Sequence, residues 1–132
     1  MSLAHPERLD GCDPDLVRLV NAVAMTRDVV VIQGARSLEE EQRAIASGHS
    51  ALRNPMDSKH VTDPIMRPLA LAVDVAPLPL DWTDLAAFQA LGLAVKALAA
   101  DLGIGLVWGG DWVHLRDFDH FELVHPHPET AA

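Results

Sequence analysis

A single cysteine, Cys12, is the only thiol in the chain. An internal disulfide is therefore excluded, and so is a zinc site built from a cluster of thiolates. Basic residues are scarce: ten Lys and Arg against nineteen Asp and Glu leave a formal net charge of −9. Nucleic acid asks for clustered cations, so it is not an expected partner. The same charge argues against simple electrostatic adhesion to an anionic membrane or wall. No apolar run approaches the roughly 20 residues that cross a bilayer, so no membrane segment is expected. The acidic start, MSLAHPERLDGCDPD, lacks the basic-then-apolar order of a secretory leader. Internal repeats and long linkers are also missing, and the 132 residues read most simply as one domain.

What is present is an ordinary globular balance, 49% hydrophobic and 22% charged. Asp13-Pro14 supplies a cap and a first-turn proline, and Leu16, Leu19, Val20 and Val23 then recur at helical spacing. VVVIQG, from Val29 to Gly34, reads as a buried strand. Ser37-Leu38-Glu39-Glu40 is a capping box that starts a helix running to about Ser47. Gly48 to Pro68 is loop-like, and LALAVDVA follows as a second strand. After the turn LPLDWTD, an Ala- and Leu-rich helix runs from Asp84 to Leu102 and ends at Gly103. IGLVW, the turn GGDW and DHFELV complete the chain with two more strands. Helices and strands mixed without a βαβ rhythm predict an α+β domain.

Asp74 is the anomaly, a carboxylate inside an apolar strand. Such a group must be neutral, hydrogen-bonded or bound to something positive. His60 precedes the same strand and His120 opens another. Two histidines and a carboxylate make a catalytic zinc set, and the metal makes a buried carboxylate tolerable. A zinc hydrolase also needs a general base, and Asp117 stands three residues before His120. Arg36, just after the first strand, is placed to meet a developing oxyanion.

Taken in order, the segments QGxRS, SxH, AxD followed by AP, and a last histidine in DxxH resemble the phage endolysins that are L-alanyl-D-glutamate peptidases. These belong to a wider group of zinc peptidases that includes D-alanyl-D-alanine carboxypeptidases and dipeptidases, and hedgehog domains. The matching stretches are VVVIQGARSLEEEQ, IASGHSALRNPMDSKH, LAVDVAP, DWTDLAAFQALGLAVKALAADLGI and DFDHFELV, together about Val29 to Val124. The resemblance implies a mainly antiparallel central sheet carrying the zinc site, with helices packed behind it. It implies that His60, Asp74 and His120 bind one Zn²⁺ per chain and that Asp117 is the acid/base. Arg36 would stabilise the substrate carbonyl and oxyanion, and Ser58 would touch substrate. The implied activity is peptidoglycan endopeptidase action on the L-alanyl-D-glutamate bond. A monomer held in the host cytoplasm until a separate holin releases it is expected. The rivals are a D,D-carboxypeptidase or D-Ala-D-Ala dipeptidase of the same group, and a catalytically silent zinc-binding module.

One departure stands out. The family pattern SxHxxGxAxD puts six residues between histidine and aspartate, whereas here thirteen, VTDPIMRPLALAV, separate His60 from Asp74. Seven added residues cost roughly a kcal/mol or less of closure entropy. With prolines at 64 and 68, residues 61–69 read as a surface insertion that leaves both ligands in place. Simpler readings compete elsewhere: Asp74 could pair with Arg67, and Arg36 with Glu39 or Glu40. Asp119 competes with Asp117, although strand alternation would turn Asp119 away from the metal. His125 and His127 fall in a terminal tail, residues 125–132. His49 and His114 read as loop residues. Trp82, Trp108 and Trp112 either fill the core or line a groove.

Overall fold

A computed structural model describes residues 1–48, 58–113 and 116–124; His49, His114 and the tail histidines lie outside the described residues. The architecture is α+β. Five strands form the main sheet in the order β1-β2-β5-β7-β6: Leu3–Ala4 (β1), Val29–Gln33 (β2), Ala72–Pro77 (β5), His120–Leu123 (β7) and Leu106–Trp108 (β6). Only the β1–β2 pairing is parallel; β2–β5, β5–β7 and β6–β7 are antiparallel. The expectation of a mainly antiparallel sheet therefore holds. A small parallel pair, Arg36–Ser37 (β3) with Val61–Thr62 (β4), stands beside it.

The helices begin where the caps place them. Pro14–Ala24 (α1) starts with the Asp13 side chain accepting from the Asp15 N–H. Leu38–Ala46 (α2) has both halves of the capping box, Ser37 and Glu40 exchanging hydrogen bonds. Leu85–Leu102 (α3) is capped by Asp84 and closed by Gly103. Leu16, Leu19, Val20 and Val23 of α1 are buried against Leu91, Val95 and Ala99 of α3 and against Val29, Val31, Val73, Val75, Phe121 and Leu123 of the sheet. Each such side chain contributes about 1.5–3 kcal/mol of burial.

Strand alternation then settles the placement of the site. Val73, Val75, Phe121 and Leu123 point at the helices, so Asp74, His120 and Glu122 point to the opposite face. Both helices α1 and α3 support that face from behind.

Three sequence expectations need adjusting. The loop-like stretch ends earlier than Pro68, because Val61 is buried and pairs with Arg36. The excursion proper begins at Asp63, whose side chain accepts from the N–H groups of Ile65 and Met66 and leaves both residues exposed at the tip. The strand LALAVDVA starts at Ala72, since Ala70 instead bridges to Cys12. The third concerns length: at 18 residues with mean hydropathy 1.5, α3 is long and apolar enough to cross a bilayer. The threshold of roughly 20 passed over it, because bilayer spans begin near 17 residues. One face of α3, Phe88, Leu91, Gly92, Val95 and Ala99, is buried within the fold.

Candidate metal centre and active site

Asp74 and His120 are direct cross-strand partners of β5 and β7, and Gln33 of β2 pairs with Asp74 from the other side next to a bulge. His60 enters from the turn before β4. Its carbonyl accepts from the Arg36 N–H at 2.7 Å, and its Nδ1 lies 2.9 Å from the Gly34 carbonyl. Gly34 can be nothing larger, since a Cβ there would lie 1.8 Å from the Arg8 carbonyl oxygen. The backbone at Gly34 thus holds one edge of the His60 ring.

Three donor atoms converge. His60 Nε2 lies 3.3 Å from His120 Nδ1 and 3.3 Å from Asp74 Oδ1, and His120 Nδ1 lies 3.1 Å from Asp74 Oδ1. The protons are accounted for elsewhere. His60 Nδ1–H donates to a carbonyl, and His120 Nε2 faces Glu122 Oε1 at 2.9 Å, so Nε2–H donates there. Three lone pairs therefore face one another, and they repel unless a cation or a proton sits among them. A tetrahedral zinc with bonds of 2.0–2.2 Å sets its ligand atoms about 3.3–3.6 Å apart. Two edges of the triangle, at 3.3 Å, meet that length and the third, at 3.1 Å, lies just below it, and the donor set suits Zn²⁺.

Electrostatics follow from the same contacts. Burial disfavours charge on His120, but the hydrogen bonds to Asp74 and Glu122 outweigh it and raise the imidazole to about 9. Burial also works against the Asp74 carboxylate, yet its contacts with His120 and His60 keep its carboxyl below the usual range. The hydrogen bond from His120, opposed by burial and aided by Lys59, holds Glu122 down to about 2. A proton on His120 Nδ1 and a metal ion compete for one place.

Asp117 and Asp119 both lie beside this set; a carboxylate oxygen from each and one from Asp74 fall within 4.8 Å of one another. Asp119 does not point away. It sits in the turn before β7 rather than on the strand, so alternation does not govern it. Burial, a hydrogen bond to Asp117 and the charge of Asp74 push Asp119 up to about 8. A side-chain hydrogen bond joins Asp119 to Asp117.

The Arg36 guanidinium pairs with Glu41, at 2.5 Å, and reaches Gln33 Oε1 at 3.5 Å. Its carboxylate partner is neither Glu39 nor Glu40; Glu41 lies on the inward side of α2 and is only 1% exposed. Ser58 enters through its carbonyl, which accepts from Arg67 and from the Val61 N–H. Arg67 also reaches the Val61 carbonyl, which fastens the excursion back to the turn that carries His60.

The tryptophans separate into three roles. Trp108 is core, its indole N–H donating to the Phe118 carbonyl. Trp112 lies against the His120 ring with centroids 5.2 Å apart. Trp82 is 57% exposed, stacks on Phe88, and with Leu85, Phe118 and Arg116 lines a cavity of about 190 Å³ that reaches Asp117 and Asp119. Glu122 and Asp119 were missed as site residues. For Glu122 the signal was present in HFE, since a residue two beyond a strand ligand shares its face.

The chain is similar to known proteins in sequence and in fold. The "L-alanyl-D-glutamate peptidase" of Escherichia phage T5 is 38% identical over 99 residues, an alignment covering 73% of this chain and 66% of that enzyme. The crystal structure of the Serratia marcescens L-Ala D-Glu endopeptidase ChiX superposes with a TM-score of 0.72 at 30% identity, covering 89% of this chain and 84% of that one. A looser likeness, TM-score 0.49 at 19% identity over 89% of this chain and 73% of the other, is to the vancomycin-resistance D,D-pentapeptidase VanY in complex with Zn(II). The family model for phage L-alanyl-D-glutamate peptidases matches residues 1–125. The chain belongs to that family.

Proposed function

We propose that this protein is a peptidoglycan endopeptidase that hydrolyses the amide between L-alanine and D-glutamate of the stem peptide, with one Zn²⁺ held by His60 Nε2, Asp74 Oδ1 and His120 Nδ1. The observation that carries this reading is the triangle of three donor atoms, 3.1–3.3 Å on each side, beside the Asp117 carboxylate. Zinc bound there supplies Lewis acidity toward a carbonyl and makes water acidic enough to attack it.

The chain's own groups supply the rest. Asp117 takes the proton of the attacking water and returns it to the leaving amine of D-glutamate. Asp119 is the hydrogen-bond partner that positions Asp117, not a second base. Arg36 offers the guanidinium that meets the oxyanion, oriented by the buried Glu41. The Trp82–Phe88 wall and Leu85 receive the peptide beside Asp117, and Trp112 screens the His120 side from water. Ser58, on the turn that carries His60, is proposed as a further substrate contact. Synthesis in the host cytoplasm, with release through a separate holin, accords with action on the wall at lysis.

The test is mass spectrometry of fragments released from purified Gram-negative sacculi by the zinc-loaded protein. Peptides beginning with D-glutamate, with L-alanine left on the glycan, are expected. Release of D-alanine alone would assign the protein to the carboxypeptidase branch instead. A folded, zinc-loaded sample that releases nothing would favour a silent binding module.

A further inference from the structure

Lys59 and Glu122 flank the two histidines, one residue before His60 and two after His120. Their side chains meet, Lys59 Nζ lying 2.8 Å from Glu122 Oε2. The same ammonium donates to the Leu123 carbonyl at 3.0 Å, and the Lys59 carbonyl accepts from the Leu71 N–H at 2.8 Å. Glu122 uses its other oxygen, Oε1, on His120 Nε2 at 2.9 Å. The two carboxylate oxygens thus act separately: Oε1 fixes one imidazole, and Oε2 fixes the segment that carries the other.

We propose that the Lys59–Glu122 pair is a positioning brace that selects Nδ1 as the metal-binding nitrogen of His120 and locks the His60 turn to β7. A backbone route through Leu71 also joins the two segments, its N–H donating to the Lys59 carbonyl and its carbonyl accepting from the Leu123 N–H, but no such contact reaches the His120 ring. His60 is held on one edge by the Gly34 carbonyl and on its backbone by Arg36, both from the β2–β3 side of the site. Nothing in those contacts ties His60 to β7. The Lys59 side chain makes that tie directly and reaches, through Glu122, the His120 ring itself. Glu122 lies on the same sheet face as His120 because the two are separated by one residue of a strand. Its half-buried carboxylate accepts the Nε2–H proton and so leaves Nδ1 with the free lone pair. Outer partners of this kind orient a ligand and raise its basicity, and their loss costs about 10–100-fold in metal affinity.

The inference rests on the zinc reading, and the experiment separates the two. Zinc dissociation constants would be measured for the full chain by competition with a chromophoric chelator, alongside ¹⁵N shifts of the His120 ring and metal-free melting temperatures. Glu122→Leu is expected to bind zinc about 10–100-fold more weakly, with a changed His120 tautomer signature. Glu122→Gln retains an acceptor and should fall between the parent and Glu122→Leu. Lys59→Met is expected to weaken zinc severalfold, and Lys59→Arg to restore most of it. A purely structural pair would lower the melting temperature and leave the zinc constant and the ring shifts of folded protein unchanged; that result overturns the brace. Should Glu122→Leu fail to fold, Lys59→Met decides, and zinc affinity within twofold of the parent overturns the proposal. A parent protein that takes up no zinc defeats the site reading and the brace together.

Discussion

Asp74 Oδ1 and His120 Nδ1 face each other across β5 and β7 at 3.1 Å, as directly paired residues on one face of the sheet. His60 closes the triangle from a turn 14 residues upstream of Asp74 in sequence. Two of the three donors are thus fixed by the sheet and the third by a turn strapped to it. Replacing Asp74 with Asn leaves the fold but puts an amide where an anion is needed between two imidazoles. Asp74→Asn should lose more zinc affinity than the 10–100-fold typical of an outer partner, and hydrolysis should fall to background. The zinc-to-protein ratio after gel filtration checks this; a stoichiometric zinc content in Asp74→Asn would remove Asp74 from the ligand set.

Asp117 and the proposed zinc ligands answer to different assays. Asp117→Asn should lower kcat by about 10²–10⁴, the usual worth of a general acid–base group, while one zinc per chain is retained. Asp119→Asn keeps a hydrogen-bond partner for Asp117, so its kcat should stay within about tenfold of the parent by the same scale. Rates on a soluble muropeptide with parallel metal analysis separate the cases. If Asp119→Asn is the more damaged variant, the two roles are reversed.

Much of the site was legible because its chemistry is carried by residues that are unwelcome where they stand. Asp74 in an apolar strand asks for a cation, and the ordered set of His60, Asp117 and His120 narrows the reason. The helices were equally readable, since Asp13, Ser37 and Asp84 cap them through their own side chains. What escaped has a common cause. β1, β3 and β4 are two residues each, too short to show a period. Asp119 was assigned by strand alternation before the strand had begun. Glu41, rather than Glu39 or Glu40, holds Arg36 because the capping box commits Glu40 to Ser37 and leaves Glu41 on the buried side. Such partner choices depend on tertiary packing, not on local pattern.

Above pH 4.5, where the depressed Glu122 and Asp74 carboxyls are ionised in both states, the metal-free protein should lose stability as pH rises. Asp119 titrates at 3.8 when unperturbed and at about 8 in the fold, and His120 at 6.5 and about 9. Between pH 3.8 and 8 the folded state therefore holds one more proton on Asp119 than the unfolded chain does. Between 6.5 and 9 the same is true of His120. Stability falls wherever the native state binds the extra proton, so these contributions are full at low pH and gone above about 9. The melting temperature in chelator should fall most steeply between pH 6.5 and 8, where both groups act. A flat or rising profile over that window would contradict the assignment.

Zinc binding should show the mirror image. The metal takes the place of the proton on His120 Nδ1, so zinc uptake below pH 9 releases that proton. Apparent affinity should rise by close to tenfold per pH unit from about 7 to about 8.5, then level off. Titration calorimetry in two buffers of different ionisation enthalpy measures the released proton directly. Zero release at pH 7 would mean that His120 is already neutral there and that the Asp74–Glu122 pair does not hold a proton on it.

Gly109 offers a test of Asp117 that leaves every ionisable group intact. Its carbonyl accepts from the Asp117 N–H at 3.1 Å, and a Cβ on it would lie 2.2 Å from the Asp117 carbonyl oxygen. That oxygen in turn accepts from the His120 N–H at 3.2 Å. Adding one methyl must push the Asp117 turn outward, because the obstacle is backbone and has no rotamer to change. His60 and Asp74 lie on other segments, and His120 stays paired with Asp74 in β7 although the Asp117 carbonyl moves off its N–H. Gly109→Ala should therefore retain zinc yet lose about 10²-fold in kcat, the cost of displacing a reacting group by about an ångström. Steady-state rates with zinc analysis check this, and normal kcat in Gly109→Ala would show that the position of Asp117 is not what the chemistry requires.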